Sequence, residues 1–268
     1  MAKFKNGWFN GIIRAWEMLY CFSVDGIFSR FTAVDKSKCS GVHVLSGLLI
    51  SSFVAGLILA LLGLIVSLLL SPVPGAIFGA VLITGLLLFS DRCAGVTLFS
   101  NMVAKRTQGR KMGDILLEQD SSPEHIDSGI ASAVFSFVIL LKLVMFYFIM
   151  LANNFYLLTL VTLASAFTQA FVLNAHTGQA AYFGFANSRE KNMFYILAIV
   201  LLLCGCKFNL MMALAFLGGI FLWNYWLKES FIKLAYGKSD ESLTLYGECA
   251  SMIASVIAFI YSAGAFKA

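Results

Sequence analysis

Most acidic side chains of this 268-residue chain fall in three short segments that could bind a metal ion and a phosphate. The segments are Ser90–Val96, Asp114–Asp127 and Tyr236–Ser242, and the last leads into Gly247 and Glu248. Carboxylates that converge from separate loops supply the oxygen ligands that Mg²⁺ prefers, and Mg²⁺ bridges carboxylates to phosphate oxygens. The segments therefore predict a magnesium and pyrophosphate site. The competing interpretation is a solvated acidic rim beneath a helical bundle.

Lys142 differs from the other charged residues because it lies in the middle of a long apolar run. A lone ammonium inside a hydrocarbon layer is unfavourable by several kcal/mol, so such a lysine faces the interior of a bundle and pairs. Glu248 is a candidate partner. The functional interpretation is phosphate binding or a catalytic cation. A structural ion pair, or a lysine that reaches to the membrane surface, explains the residue equally well.

Composition indicates the elements that must carry these residues. Hydrophobic residues make up 60% of the chain and charged residues 12%, with a mean hydropathy of +0.86. Soluble domains are about one-quarter charged, and one membrane span needs about 20 apolar residues. We expect an all-α, polytopic integral membrane bundle of about seven transmembrane helices. The apolar stretches are Val44–Leu70, Gly75–Ser90, Gly129–Leu151, Phe155–Leu173, Met193–Cys206, Phe208–Trp226 and Cys249–Phe266.

The distribution of basic residues predicts which loops face the cytosol. Of the 19 lysines and arginines, six lie in 1–42, five in 91–128, two in 174–192 and three in 227–247. We therefore expect a multi-pass protein of the cell (inner) membrane, with the N-terminus and the active face cytosolic. Residues 43–268 form the transmembrane domain in this scheme.

Residues 1–42 are expected to form a cytosolic or interfacial segment that contains an amphipathic helix. Its apolar residues recur at helical spacing between Trp8 and Tyr20, with Asn10, Arg14 and Glu17 on the opposite side. Such a helix lies in the inner headgroup layer. The alternative is a helix packed over the mouth of the bundle.

The stretch Gly85–Gly95 is similar to a motif of one membrane enzyme family, His-x-Asp-Gly-x-x-Asp-x-x-Asp-Gly. Asp91, Cys93 and Gly95 fit the motif, whereas its histidine and its other two aspartates fall on Gly85, Leu87 and Ala94. We expect helical spacing to place residues 91 and 94 on one face.

The similarity continues along nearly the whole chain. Asp120-Ser121, Gly129 and Lys142 resemble the family's next signature, and an arginine of a later span falls near Gln169. The family's Gly-Asp-x-x-Gly stretch resembles Gly237–Glu241, and its Gly-Glu resembles Gly247-Glu248. The layout of spans, loops and acids resembles that of the cobalamin-5′-phosphate synthases, which are adenosylcobinamide-GDP ribazoletransferases.

This resemblance implies a transferase of late cobalamin biosynthesis that joins adenosylcobinamide-GDP to α-ribazole 5′-phosphate and releases GMP. Its substrates would be that corrinoid nucleotide and the ribazole phosphate, and its cofactor Mg²⁺. The residues it implies have three roles: catalysis by Asp120, Lys142 and Glu248; substrate binding by Arg106, Arg110, Lys111 and Ser121; and metal binding by Asp91, Asp120 and Glu241.

Two further functions fit the same sequence. A divergent, non-catalytic homologue could bind a corrinoid or another amphipathic ligand, and a small-molecule transporter is the third interpretation. Against transport, the spans show no repeated halves with matching broken helices. The lipid bilayer is the expected partner, and the chain could form oligomers. The sequence has no basic run with interleaved aromatic residues, so nucleic-acid binding is not expected.

The predicted sidedness can be tested by cysteine labelling. Cysteines introduced at Lys105 and Lys238 should react only with reagents that reach the cytosolic face, because both positions lie in lysine- and arginine-rich loops. Labelling of either cysteine from the outer face would overturn the topology.

Overall fold

The computed structural model describes residues 7–20, 41–90, 93–109, 128–175, 188–227 and 240–264. Within these ranges the chain forms helices joined by turns, without a strand. In chain order the helices are α1 (Gly7–Leu19), α2 (Gly41–Leu69), α3 (Pro72–Ser90), α4 (Ala94–Thr107), α5 (Ser128–Leu151), α6 (Leu157–Ala175), α7 (Ser188–Gly205), α8 (Leu210–Leu227) and α9 (Asp240–Gly264).

The all-α membrane bundle is confirmed, and each of the seven predicted apolar stretches overlaps one helix. Helices α2, α3, α5 and the Thr244–Gly264 part of α9 are long and apolar enough to cross a membrane, and α6 and α8 contain shorter apolar helices. The chain is therefore a multi-pass membrane protein. Helix α9 begins nine residues before the predicted Cys249, because polar residues continue the helix ahead of its apolar part.

Short turns determine which helix ends lie together. The turns at 70–71, 152–156 and 206–209 join α2 to α3, α5 to α6 and α7 to α8, so each pair is antiparallel. Helix α1 packs beside the beginning of α2, where Ser51 Oγ donates a hydrogen bond to the carbonyl of Ile12 at 3.3 Å. The starts of α2, α5, α7 and α9 and the ends of α3, α6 and α8 thus lie at one end of the bundle, called here the α1 end.

Helix α1 is a packed cover on the bundle, as the second of the two interpretations proposed. A Cβ built on Gly47 would lie 2.6 Å from the carbonyl oxygen of Gly11, so the backbones of α1 and α2 approach closely at these two glycines. The predicted polar face was wrong at Asn10, which is 3% exposed. Contact with α2, rather than with headgroups, decides which side of α1 is buried.

Helix α4 was not predicted, because residues 91–128 were interpreted as a loop. It packs against α5 and α9 and buries Val96 and Ala104. Cys93, just before it, has a left-handed backbone with φ 60°, and α3 ends at Ser90. Asp91, which was expected to share a helical face with Ala94, lies outside the described residues.

Large apolar side chains cover the outside of the bundle, as a surface in contact with lipid requires. They include Leu61, Leu68 and Leu69 on α2, Phe78 on α3 and Phe221 on α8. Inside, α2 and α6 approach closely at Gly56, where a built Cβ would lie 2.5 Å from the Cα of Thr159. Small residues at such crossings let membrane helices pack backbone to backbone.

Candidate functional site

Lys142 and Glu248 form a buried ion pair between α5 and α9. Lys142 Nζ lies 2.5 Å from Glu248 Oε1, and the two side chains are 6% and 9% exposed. The prediction that Lys142 faces the interior and pairs with Glu248 is confirmed. The two residues meet although they lie at different distances from the starts of their helices.

Ser251, one turn after Glu248 on α9, supports the carboxylate. Its Oγ donates a hydrogen bond to the main-chain carbonyl of Glu248 at 2.9 Å and lies 3.4 Å from Oε2. A buried ion pair is tolerated only when each charge has a close partner and the remaining lone pairs are satisfied. The hydroxyl therefore helps to hold the Glu248 side chain against Lys142.

The ion pair lies in the wall of a cavity of about 240 Å³ near the α1 end of the bundle. The cavity is lined by residues of helices α1 to α6 and α9, and by Tyr20, which follows α1. The lining combines three charged side chains with hydroxyls, an amide and a few apolar groups: Glu17, Leu19, Tyr20, Ser52, Leu87, Leu88, Ser90, Ala94, Lys142, Val161, Thr162, Ser165, Gln169, Thr244, Glu248 and Ser251. A cavity with this lining can bind a polar, hydrogen-bonding group at the membrane surface.

Helix α6 presents a polar face to the cavity. Thr162 Oγ1 donates to the main-chain carbonyl of Ser52 at 2.8 Å, which joins α6 to α2. Ser165 and Gln169 follow on the same face and are half-buried. A Cβ on Gly247 would lie 2.5 Å from Gln169 Nε2 and 2.6 Å from Ser165 Oγ. Gly247 thus leaves the space that these two polar side chains occupy beside Glu248.

Tyr20 brings a phenol to the cavity from the end of α1. Burial raises the pKa of Tyr20 to about 12, and a hydrogen bond with Ser52 opposes the rise. The phenol is therefore neutral at physiological pH and remains a hydrogen-bond donor. Together with Glu17, it makes α1 part of the cavity wall.

The structure brings two of the predicted site residues together, Lys142 and Glu248. Arg106 lies exposed in the last turn of α4 and does not line the cavity. Glu241 is in the first turn of α9, but its side chain lies outside the described part of the chain. The other predicted residues also lie outside the described ranges: Asp91, Arg110, Lys111, Asp120 and Ser121.

Several lining residues were not predicted as site residues. Glu17 and Tyr20 were assigned to an interfacial helix, and Ser165 to no site. A signal for α6 was present in the sequence, because Thr159, Thr162 and Ser165 recur every three residues in a mostly apolar helix. This spacing places polar groups on one helical face.

The described residues do not provide a magnesium site by themselves. Within them no three His, Cys, Asp or Glu side chains come together. The cavity wall has two carboxylates, Glu17 and Glu248, and the second is paired with Lys142. Magnesium binding by Asp91, Asp120 and Glu241 stays a prediction.

Comparisons with protein-family models, with curated proteins and with solved structures gave no match to this chain. Function is therefore inferred from the cavity and from the sequence motifs.

The ion pair can be tested by a double-mutant cycle. Lys142→Met and Glu248→Gln should each lower the free energy of unfolding in detergent by about 3–5 kcal/mol, because each leaves a buried charged or polar partner unpaired. The double variant should lose clearly less than the sum of the two. Lys207→Met is the control, since Lys207 is exposed and lies over the Tyr156 ring, a contact of about 0.5–1 kcal/mol. Additive losses would show that the two side chains do not interact.

Proposed function

We propose that the chain is a membrane-embedded transferase whose cavity binds the phosphate-bearing part of an amphipathic substrate. The proposed reaction joins adenosylcobinamide-GDP to α-ribazole 5′-phosphate and releases GMP. The observation that carries the proposal is the Lys142 ammonium, held by Glu248 in the wall of a cavity within the bundle that is partly lined by polar groups. A fixed cation in a poorly hydrated site interacts strongly with phosphate oxygens.

In this reaction a hydroxyl of the ribazole phosphate forms a bond to the phosphorus that carries the corrinoid. The bond from that phosphorus to the oxygen of GMP breaks, and the hydroxyl loses its proton. Catalysis of phosphoryl transfer consists mainly of positioning and charge stabilisation. Lys142 stabilises the negative charge that develops on the phosphate oxygens, and Glu248 keeps the ammonium in position. Asp120 remains a predicted catalytic residue.

Five positions that the resemblance assigns to the family's site line this one cavity. Lys142 and Glu248 carry the residue types that the resemblance expects, while Leu87, Ala94 and Gln169 stand where the family has two aspartates and an arginine. These positions are far apart in the sequence. Their presence in one wall supports both the alignment of the motifs and the proposed binding site.

Two of these departures from the family's motifs, Leu87 and Ala94, support a second candidate function. Leu87 and Ala94 give the cavity apolar surface where the family has carboxylates. A wall with fewer carboxylates binds a divalent cation more weakly. A divergent homologue that binds a corrinoid or another amphipathic ligand without chemistry fits this lining.

We propose that the bundle lies in the inner membrane of the cell. Its α1 end then faces the cytosol. Arg106, Arg189 and Lys191 lie near this end of α4 and α7. Lys207 is the one basic residue among the three turns that join the antiparallel pairs at the opposite end. Basic residues accumulate on the cytosolic side of membrane proteins. A nucleotide substrate would therefore reach the cavity from the side where nucleotides are made.

Turnover tests the proposed reaction. Purified chain in nanodiscs, given both cobamide precursors and Mg²⁺, should form the joined product and GMP. Lys142→Met should lower kcat about 100-fold or more, as does the loss of other groups that stabilise a developing charge. Lys207→Met, at the opposite end, should leave the rate unchanged. Corrinoid binding without turnover would favour the second candidate, and absence of both binding and turnover would reject the proposed site.

Magnesium dependence tests the predicted metal role of Asp91 separately. Asp91→Asn should abolish turnover, and the wild type should need Mg²⁺ on the order of millimolar, because two motif aspartates are missing. Ala94→Asp adds a carboxylate to the cavity wall and should lower the Mg²⁺ concentration for half-maximal binding of the substrates. Thr97→Asp is the matched control, since Thr97 is exposed in the same helical turn. Full substrate and metal binding by Asp91→Asn would contradict the assignment.

A further inference from the structure

A second, apolar groove lies between α6, α7 and α8. Its volume is about 230 Å³, and Tyr195 is the one lining residue with a polar side chain. The apolar lining comes from all three helices and includes Phe167 of α6, Ile199 of α7 and Phe221 of α8. Leu160 and Phe167 of α6 face this groove, whereas Thr162, Ser165 and Gln169 face the polar cavity. The two spaces therefore lie on different sides of the same helix.

The groove is continuous with the lipid-facing surface of the bundle. Ile199 is 47%, Leu217 41% and Phe221 69% exposed, so the rim of the groove is open to the hydrocarbon layer. Water does not fill a space with so few polar partners, and an unfilled space loses dispersion contacts along its whole lining. A lipid chain is the molecule in the bilayer that can fill it.

One basic residue lies in line with the groove at its α1 end. Lys191, Tyr195, Ala198 and Leu202 follow each other at helical spacing on α7, and the last three line the groove. Lys191 is exposed and is separated from the apolar part of α7 by Asn192 alone. No ion pair or hydrogen bond engages it among the residues that the structure describes. Its ammonium is therefore at the boundary between the hydrocarbon layer and the headgroups.

We propose that this groove binds an acyl chain of an anionic phospholipid, with Lys191 facing the phosphate-bearing headgroup. Lysines at the membrane surface attract anionic headgroups, and tyrosines prefer the level between headgroup and hydrocarbon. Tyr195, one turn further along α7, is at that level. The apolar lining and the single cation thus match the two parts of one lipid molecule.

Lipid in the groove would also stabilise the position of α6. The bound chain fills the space between α6 and the α7–α8 pair, and the opposite face of α6 carries Ser165 and Gln169 of the polar cavity. The lipid site does not depend on the proposed reaction, because its ligand and its residues differ from those of the cavity.

Native mass spectrometry of the detergent-purified chain, with phosphatidylglycerol or phosphatidylcholine added, tests the proposal without substrates. The chain should retain phosphatidylglycerol about fivefold more tightly, the factor expected for one lysine near an anionic headgroup. Lys191→Gln should remove the preference. Arg189→Gln should keep it, because Arg189 lies about 120° around the helix axis from Tyr195. Equal retention of the two lipids by the wild type would overturn the headgroup site.

A second pair of variants tests the acyl chain. Ala198→Phe places a ring in the groove and should reduce retention of both lipids at least tenfold, whereas Val200→Phe places the ring on the exposed face and should not. Unchanged retention by a folded Ala198→Phe variant would overturn the groove as the binding site. If that variant does not fold, the contrast between Lys191→Gln and Arg189→Gln decides. A lipid-free dimer that buries the groove would also reject the proposal.

Discussion

The requirement that a charge inside a membrane bundle must be neutralised constrains much of this structure. Lys142 can remain an ammonium in the middle of α5 because Glu248 of α9 is 2.5 Å away. The pair fixes the contact between two helices that are about 100 residues apart in the chain. Because a buried ion pair also needs polar neighbours, the Ser251 hydroxyl lies beside the Glu248 carboxylate. The polar cavity follows from this requirement.

Glycines allow the helices to approach closely enough to build the cavity wall. Gly11 and Gly47 join α1 to α2, Gly56 joins α2 to α6, and Gly247 leaves space for Gln169 between α6 and α9. A larger side chain at these positions would separate the helices or displace the polar groups. Since membrane helices gain little from hydrophobic burial against each other, such close contacts contribute most of their packing energy.

Helix α6 separates the two environments that the proposed functions need. Helix α6 has a hydrogen-bonding face toward the cavity, formed by Thr162, Ser165 and Gln169. It has an apolar face toward the apolar groove, formed by Leu163 and Phe167. If both proposals hold, the polar substrate and the lipid chain contact opposite faces of this one helix.

The sequence by itself determined the seven apolar helices, most of their bounds to within three residues, and the interior position of Lys142. These features follow from local hydropathy and from the cost of a charge in lipid. It also named Glu248 as a candidate partner. It did not predict α4, the break at Cys93 or the burial of Asn10. These features, and the meeting of Glu17, Gln169 and Glu248 in one wall, depend on which helices are neighbours. Apolar periodicity indicates which side of each helix is buried, but not which helices are its neighbours. Only the tertiary structure therefore decided these features.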